Sequence, residues 1–360
     1  MKMKKLLTAA VVVAMSVMFV GCGGKPKIPA NTVAAAYVDL DKLVWNAADV
    51  VEDVIDELPK EMREDAEKTF KDFMKEHKDD IKAIDPEWAC LTVGLDKKTG
   101  RQEVAVVIKC DYEKKLPSVD SSLEDALKAM AGEGKDKVEG CDVCAIGGGM
   151  MSFLPGKFSV GFVDKKYLVC AIVATDEDKK FFERMIVLYK DGKGETTNDF
   201  DDLTDLGGDT VARVQTAEVD TLIDVLGVRE DVKKFAEECG DDDLVDLFTD
   251  FSNITLDVNF SDDIVGFELA VDAGSRKLAK LVEGAFEIVA FGGRVATALG
   301  VGFNDLVRME CGKEAAGCVK AAADLLRDCL EADRSGSVAT LTLEIDTDDL
   351  IEVLVPELTK

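Results

Sequence analysis

From residue 32 onward the hydrophobic positions recur at a period of about two in some stretches and about 3.6 in others, the mark of strands and helices in mixed order. Ala34 to Leu40 has the run of a strand. Asp41 stands where a helix cap is expected, ahead of Val44, Ala48, Val51, Ile55 and Leu58 at helical spacing. Pro59 suits the first turn of a second helix, with a stripe of Met62, Ala66, Phe70, Phe73, His77 and Ile81 and with Lys and Glu opposite. Ala89 to Leu95 and Glu103 to Cys110 read as a hairpin joined across LysLysThrGly. A short helix is expected from Leu123 to Met130. Strands follow at Val138 to Ile146, Phe158 to Val163 and Tyr167 to Val173, the last two turning at AspLysLys, and Asp176 opens a closing helix.

The segment from Asp191 to Gly208 is polar, acidic and glycine-punctuated, the composition of a linker. After it the pattern restarts. Thr210-Val211-Ala212 echoes Thr32-Val33-Ala34, Asp220-Thr-Leu222 echoes Asp41-Lys-Leu43, and helices again lead to a hairpin, Ile254 to Phe260 with Ile264 to Val271. The expected fold class is therefore α+β, in two related halves of antiparallel sheet plus helices, which suggests an internal duplication. The second half then diverges into apolar helices, Arg276 to Leu299 and Lys313 to Ala332. A strand from Val338 to Ile345 and a terminal helix capped near Asp346 or Thr347 complete it.

The first residues break this pattern. Lys2, Lys4 and Lys5 precede an uncharged apolar run from Leu6 to Val20, the layout of a secretory signal and too short for a comfortable membrane span. Phe19-Val20-Gly21-Cys22 resembles the lipobox of bacterial lipoproteins, in which the cysteine is lipid-modified and becomes the new N-terminus. Gly21 and Cys22 match that pattern, whereas Phe19 stands where leucine is usual. The resemblance implies a lipid on Cys22, an envelope location facing the periplasm or exterior, and a membrane as partner through that lipid. Gly23 follows the cysteine where aspartate would favour inner-membrane retention, so in a cell with two membranes the outer one is expected. The alternatives are a plain signal peptide cut nearby or an uncleaved anchor helix. The expected organisation is thus a signal peptide over 1–21, a flexible tether over 22–30, a first α+β domain over 31–190, an acidic linker over 191–208 and a second α+β domain over 209–360.

Charge narrows the partners. The net charge is −28, and loss of the leader's lysines makes the mature chain more acidic still. Such a surface repels the phosphates of DNA, RNA and anionic lipid, so nucleic acid is not an expected partner. An apolar content of 47% is too high for a disordered acidic tail, so the acids sit on a folded body. Ten cysteines are present. With Cys22 assigned to lipid the rest form an odd set, in a compartment that permits disulfides. Cys90 and Cys170 lie in apolar strand contexts and read as core residues. Cys318 and Cys329, placed on one predicted helix, would stand roughly 16 Å apart at about 1.5 Å per residue, too far to bond. Cys141-Asp-Val-Cys144 is a CxxC with no second pair or histidine for zinc and no helix start to activate it, so it reads as strand.

Catalytic constellations are scarce. His77 is the one histidine, and its place between Phe73 and Ile81 on an apolar stripe favours packing over chemistry. No GxSxG or HExxH occurs, and Pro155-Gly156-Lys157-Phe158 lacks the other elements of a phosphate loop. With seventy-two acids, chance carboxylate pairs are unavoidable and give no specific support to glycoside hydrolysis. The clusters at Asp199 to Asp209 and Asp241 to Asp243 do not fit a calcium loop, and the latter reads as a helix cap. No metal or cofactor is expected. Two apolar features remain: the glycine-flanked run Met150, Met151, Phe153 and Leu154, which would suit partner docking if exposed, and Gly284 to Phe303, which reads as a buried helix pair. The reading is of a lipid-anchored envelope protein acting as a non-catalytic binding or structural module, with another envelope protein as its partner. The alternative is a carrier of an apolar ligand or lipid, and an envelope hydrolase comes third.

Overall fold

The computed structural model describes residues 25–131, 136–146, 156–217, 219–226, 229–230, 251–261, 263–299 and 329–349. The fold is α+β, with antiparallel sheet and long amphipathic helices. Two compact units form, one from residues up to Val44 with Asp72–Asp205, the other from Trp45–Lys71 with Leu206–Lys360. This is not a single cut at 191–208. The helical stretch 45–71 belongs with the later half of the chain, where the Asn46 side-chain amide donates to the Phe260 carbonyl.

β1 (Thr32–Asp39) of the first unit runs into α1 (Leu40–Glu57), whose residues from Trp45 on belong to the other unit, and α2 (Lys60–Ile84) returns to the first unit from Asp72 and leads to β2 (Trp88–Asp96) and β3 (Arg101–Lys109). Asp39, not Asp41, caps α1: its Oδ1 accepts the Lys42 amide at 3.1 Å, satisfying a free donor of the first turn. The expected stripe of α2 is the covered one, with Ala66, Phe70 and Ile81 buried and Met62, Phe73 and His77 half-buried. Next come β4 (Lys115–Leu116), β5 (Ser121–Ser122), α3 (Leu123–Ala131), β6 (Asp136–Val138), β7 (Cys141–Ile146), β8 (Lys157–Val163), β9 (Tyr167–Val173) and α4 (Asp176–Asp191). The expected strand from Val138 to Ile146 is two strands. Glu139 and Gly140, at φ 49° and 81°, make the left-handed pair that a tight hairpin requires. Strand order is β1-β2-β3-β9-β8-β7-β6, antiparallel throughout.

Alternation sorts the side chains of this sheet onto two faces. One face carries Trp88, Cys90, Ala105, Val107, Val169 and Gly161, and α4 covers it with Phe182, Met185, Ile186 and Tyr189. Gly161 leaves room there for Ile186, whose Cδ1 would lie 2.8 Å from an added Cβ and would have to shift. The other face carries Cys144, Val160, Phe162, Leu168 and Cys170, closed over by Ile84, Tyr112 and the apolar side of α3. Farther along that second face Leu91, Val104 and Ile172 stay exposed.

The second unit holds β10 (Thr210–Thr216), α5 (Val219–Leu226), β11 (Asn253–Phe260), β12 (Ile264–Asp272), α6 (Arg276–Leu299), β13 (Leu330–Ser335) and β14 (Val338–Asp346). Its order is β10-β11-β12-β14-β13, the same path as β1-β2-β3-β9-β8. The register slips between Thr32 and Ala34 against β2, and between Thr210 and Ala212 against β11. At both bulges the intervening valine, Val33 or Val211, is buried. Val219, Val271, Ala279, Val282 and Ala339 form the core beneath α6. The expected helix over Lys313 to Ala332 does not reach its stated end, since Leu330 to Ala332 lie in β13 and alternate half-buried with exposed; residues 313–328 lie outside the described set. Only residues 347–349 of the terminal helix are described.

Candidate functional site

The chain entering the first unit is bound to it. Residues 25–30, expected as part of a flexible tether, form a strap against the C-terminal end of α4. The Tyr189 hydroxyl accepts the Lys27 amide at 3.0 Å and donates to the Lys27 carbonyl at 3.2 Å. Lys27 Nζ donates to the Leu188 carbonyl at 3.0 Å, a second bond to an oxygen that also accepts the Gly192 amide, and lies 5.7 Å from the Tyr189 ring centroid. Gly192, at φ 67°, closes that end by donating to Leu188. At the other end of α4, Thr175 and Asp178 form a reciprocal capping box, and Arg101 reaches Asp178 at 3.0 Å.

The strap is also tied to the acidic segment. Ala30 donates to the Glu195 carbonyl at 3.0 Å, Thr197 donates to the Ile28 carbonyl at 3.1 Å, and Pro29 bridges to Thr196. Lys25 Nζ donates to the Asp201 carbonyl at 3.0 Å. The segment 191–208 is therefore not an open linker: Phe200 and Leu203 are buried, as is Ile28 of the strap. Between strap and segment lies a shallow groove of about 200 Å³, with Lys25, Ile28, Thr197, Phe200 and Thr204 in its walls.

Two carboxylates under α4 are withdrawn from water and paired. Glu103, 8% exposed, accepts from Arg184 and from the Asn31 side-chain amide. Glu87 is bonded by Lys109, itself 7% exposed, and Lys109 stands in the sheet between Trp88 and Tyr167. Burial raises the Glu87 pKa above the ordinary carboxylate value, against the opposing hydrogen bond and charge of Lys109. Both pairs tie the sheet to its neighbours, Glu103 to Asn31 and Arg184 and Glu87 to Lys109.

The thiols are core groups. Cys90, Cys110, Cys141, Cys144 and Cys170 are buried and free. Burial pushes the Cys90 and Cys170 pKa values up to about 12 and raises those of Cys110, Cys141 and Cys144, which keeps all five protonated and poorly nucleophilic at neutral pH. The CxxC lies within β7, as its strand reading expects. Three steps along a strand put Cys141 and Cys144 on opposite faces, so their sulfurs cannot meet.

His77 packs its ring 4.6 Å from that of Phe73, with Nδ1 3.7 Å from a carboxylate oxygen of Asp80. Asp80 in turn accepts the Ser118 amide at 3.0 Å. The imidazole thus helps hold the loop after β4 to α2. His77→Gln should lower stability by about 1 kcal/mol, the usual size for one half-buried substitution, and a urea midpoint equal to that of the wild type would sink this packing role.

The residues singled out from the sequence as sites, Cys22 and the run Met150, Met151, Phe153 and Leu154, lie outside the described residues. So do Asp241 to Asp243, while Gly284 to Phe303 is described as far as Leu299 in α6. Among the described residues no helix is long and apolar enough to cross a membrane. The groups that sequence reading missed, Glu103 with Arg184 and Glu87 with Lys109, are distant in sequence and carry no local signature.

No family model matches this chain, and no curated protein matches it. Among solved structures, crystal form I of TP0453 is similar over 94% of this chain and 99% of that chain, at 8% identity and a TM-score of 0.38. Crystal form III of TP0453 is similar over 93% and 99%, at 9% identity and a TM-score of 0.37.

Proposed function

We propose that this chain is a lipid-anchored cell-envelope protein whose folded part serves as a non-catalytic binding or structural module. The carrying observation is the lipobox-type run Phe19-Val20-Gly21-Cys22 behind a basic and apolar leader. Protonated core thiols and a histidine engaged in packing support the non-catalytic half of the reading. Cys22→Ala should abolish incorporation of labelled fatty acid and release the protein from membranes or leave it as precursor, because no thiol remains for the lipid to join. A variant that still takes up label and fractionates with membranes would overturn the proposal.

A second reading, a carrier of an apolar ligand, draws on the second unit. One face of its sheet is apolar from strand to strand, through Val214, Leu256, Leu269 and Leu341, and through Val258, Phe267 and Leu343. Val214 and Val258 are 36% exposed there, and Leu256, Phe267 and Leu269 are only half-buried. Native mass spectrometry of protein purified from its own envelope should then show a bound lipid-sized mass. A bare protein that co-purifies with another envelope protein would favour the module.

A further inference from the structure

We propose that the first unit lies with its strap-bearing end, the surface formed by residues 25–28 and the loop 196–204, against the bilayer surface. This rests on the lipid anchor at Cys22. The fixed point nearest the anchor is the Lys27 backbone, clamped at its amide and carbonyl by Tyr189. From the Cα of Cys22 to that of Lys27 there are five residue steps, which span at most roughly 18 Å even when fully extended. A folded unit on so short a lead cannot swing to present its opposite end. That opposite end is the start of α4, where Arg101 meets Thr175 and Glu177 beside the β2–β3 turn. The sixteen residues of α4 separate the two ends by about 24 Å.

The chemistry of the apposed surface names the kind of lipid. Asp199, Asp201, Asp202 and Asp205 are exposed on or beside the loop, against the two lysines of the strap. Held within one or two screening lengths of headgroups, about 8 Å each at physiological salt, this rim favours zwitterionic lipid and is pushed away by anionic lipid.

The test uses the lipidated full chain in phosphatidylcholine vesicles, with a photoreactive benzoyl-phenylalanine placed at Asn198 or, at the far end, at Thr99. Both positions are exposed. Lipid adducts should form at position 198 at least fivefold more than at 99. Ten glycine and serine residues inserted after Gly24 should erase that contrast, and phosphatidylglycerol in the vesicles should reduce the yield at 198. Equal yields at both positions in protein that carries fatty-acid label would sink the orientation alone. No fatty-acid label would sink the anchor and the orientation with it.

Discussion

Trp88→Ala should cost the first unit about 3–5 kcal/mol, the range for removing a large aromatic from a packed core. Trp88 is 2% exposed and is ringed by Tyr37, Tyr167 and Tyr189 at centroid distances of 6.2, 6.2 and 6.5 Å. Tilted contacts of this kind add to the burial of area, and the void left by an indole cannot close without moving β3 and α4. Tyr189 also holds the strap, so the substitution should speed proteolysis at residues 25–30 as well. Urea unfolding followed by hydrogen exchange of the β2, β3 and β9 amides, with mass mapping of early cuts, measures both effects. A loss below 1 kcal/mol would mean that the aromatic cluster is not the centre of this core.

Lys109→Met should cost about 1–3 kcal/mol at neutral pH, because it keeps the packed stem but leaves the half-buried Glu87 without its cation. The pH dependence follows from the raised pKa of Glu87, which burial causes and Lys109 opposes. A carboxyl whose folded pKa lies above its unfolded one binds its proton more tightly when folded. Its neutral form favours the fold, and that contribution is lost as pH rises through the folded pKa. Removing Lys109 raises this pKa further. The difference between variant and wild type should therefore be largest at pH 7.5 and shrink as pH falls through the raised value, since a protonated Glu87 no longer needs the ammonium group. Equal losses at pH 7.5 and pH 5 would show that the lysine acts through packing alone.

The hydrophobic periods made most of the elements legible, since α2, the β2–β3 hairpin, β8, β9 and α6 each have a clean stripe or alternation. The turn at Glu139-Gly140 was hidden by apolar residues on both sides, which read as one strand. Leu330 to Ala332 were drawn into a helix because the residues before them favour one, whereas pairing with β14 makes them strand. In 191–208 the weight of acids and glycines concealed Phe200 and Leu203, and two buried side chains suffice to pin a segment that composition alone would leave free. The CxxC was readable as strand from its neighbours. The ion pairs of Glu87 and Glu103 were not, since an acid and a base brought together by a fold look in sequence like any other surface charges.

The row of thiols across the first unit carries a consequence for biogenesis. Cys144 faces Val160, and Val160 faces Cys170, so an intervening strand keeps the two cysteines about 10 Å apart, beyond the reach of a disulfide. Once the sheet is closed, an oxidising compartment cannot join them. Before it closes nothing separates them, and an oxidant acting on the unfolded chain could tie together residues that the native register holds apart. Wherever the chain folds among oxidants, sheet formation must outrun thiol oxidation, and refolding under reducing conditions should recover protein that refolding in an oxidised buffer loses.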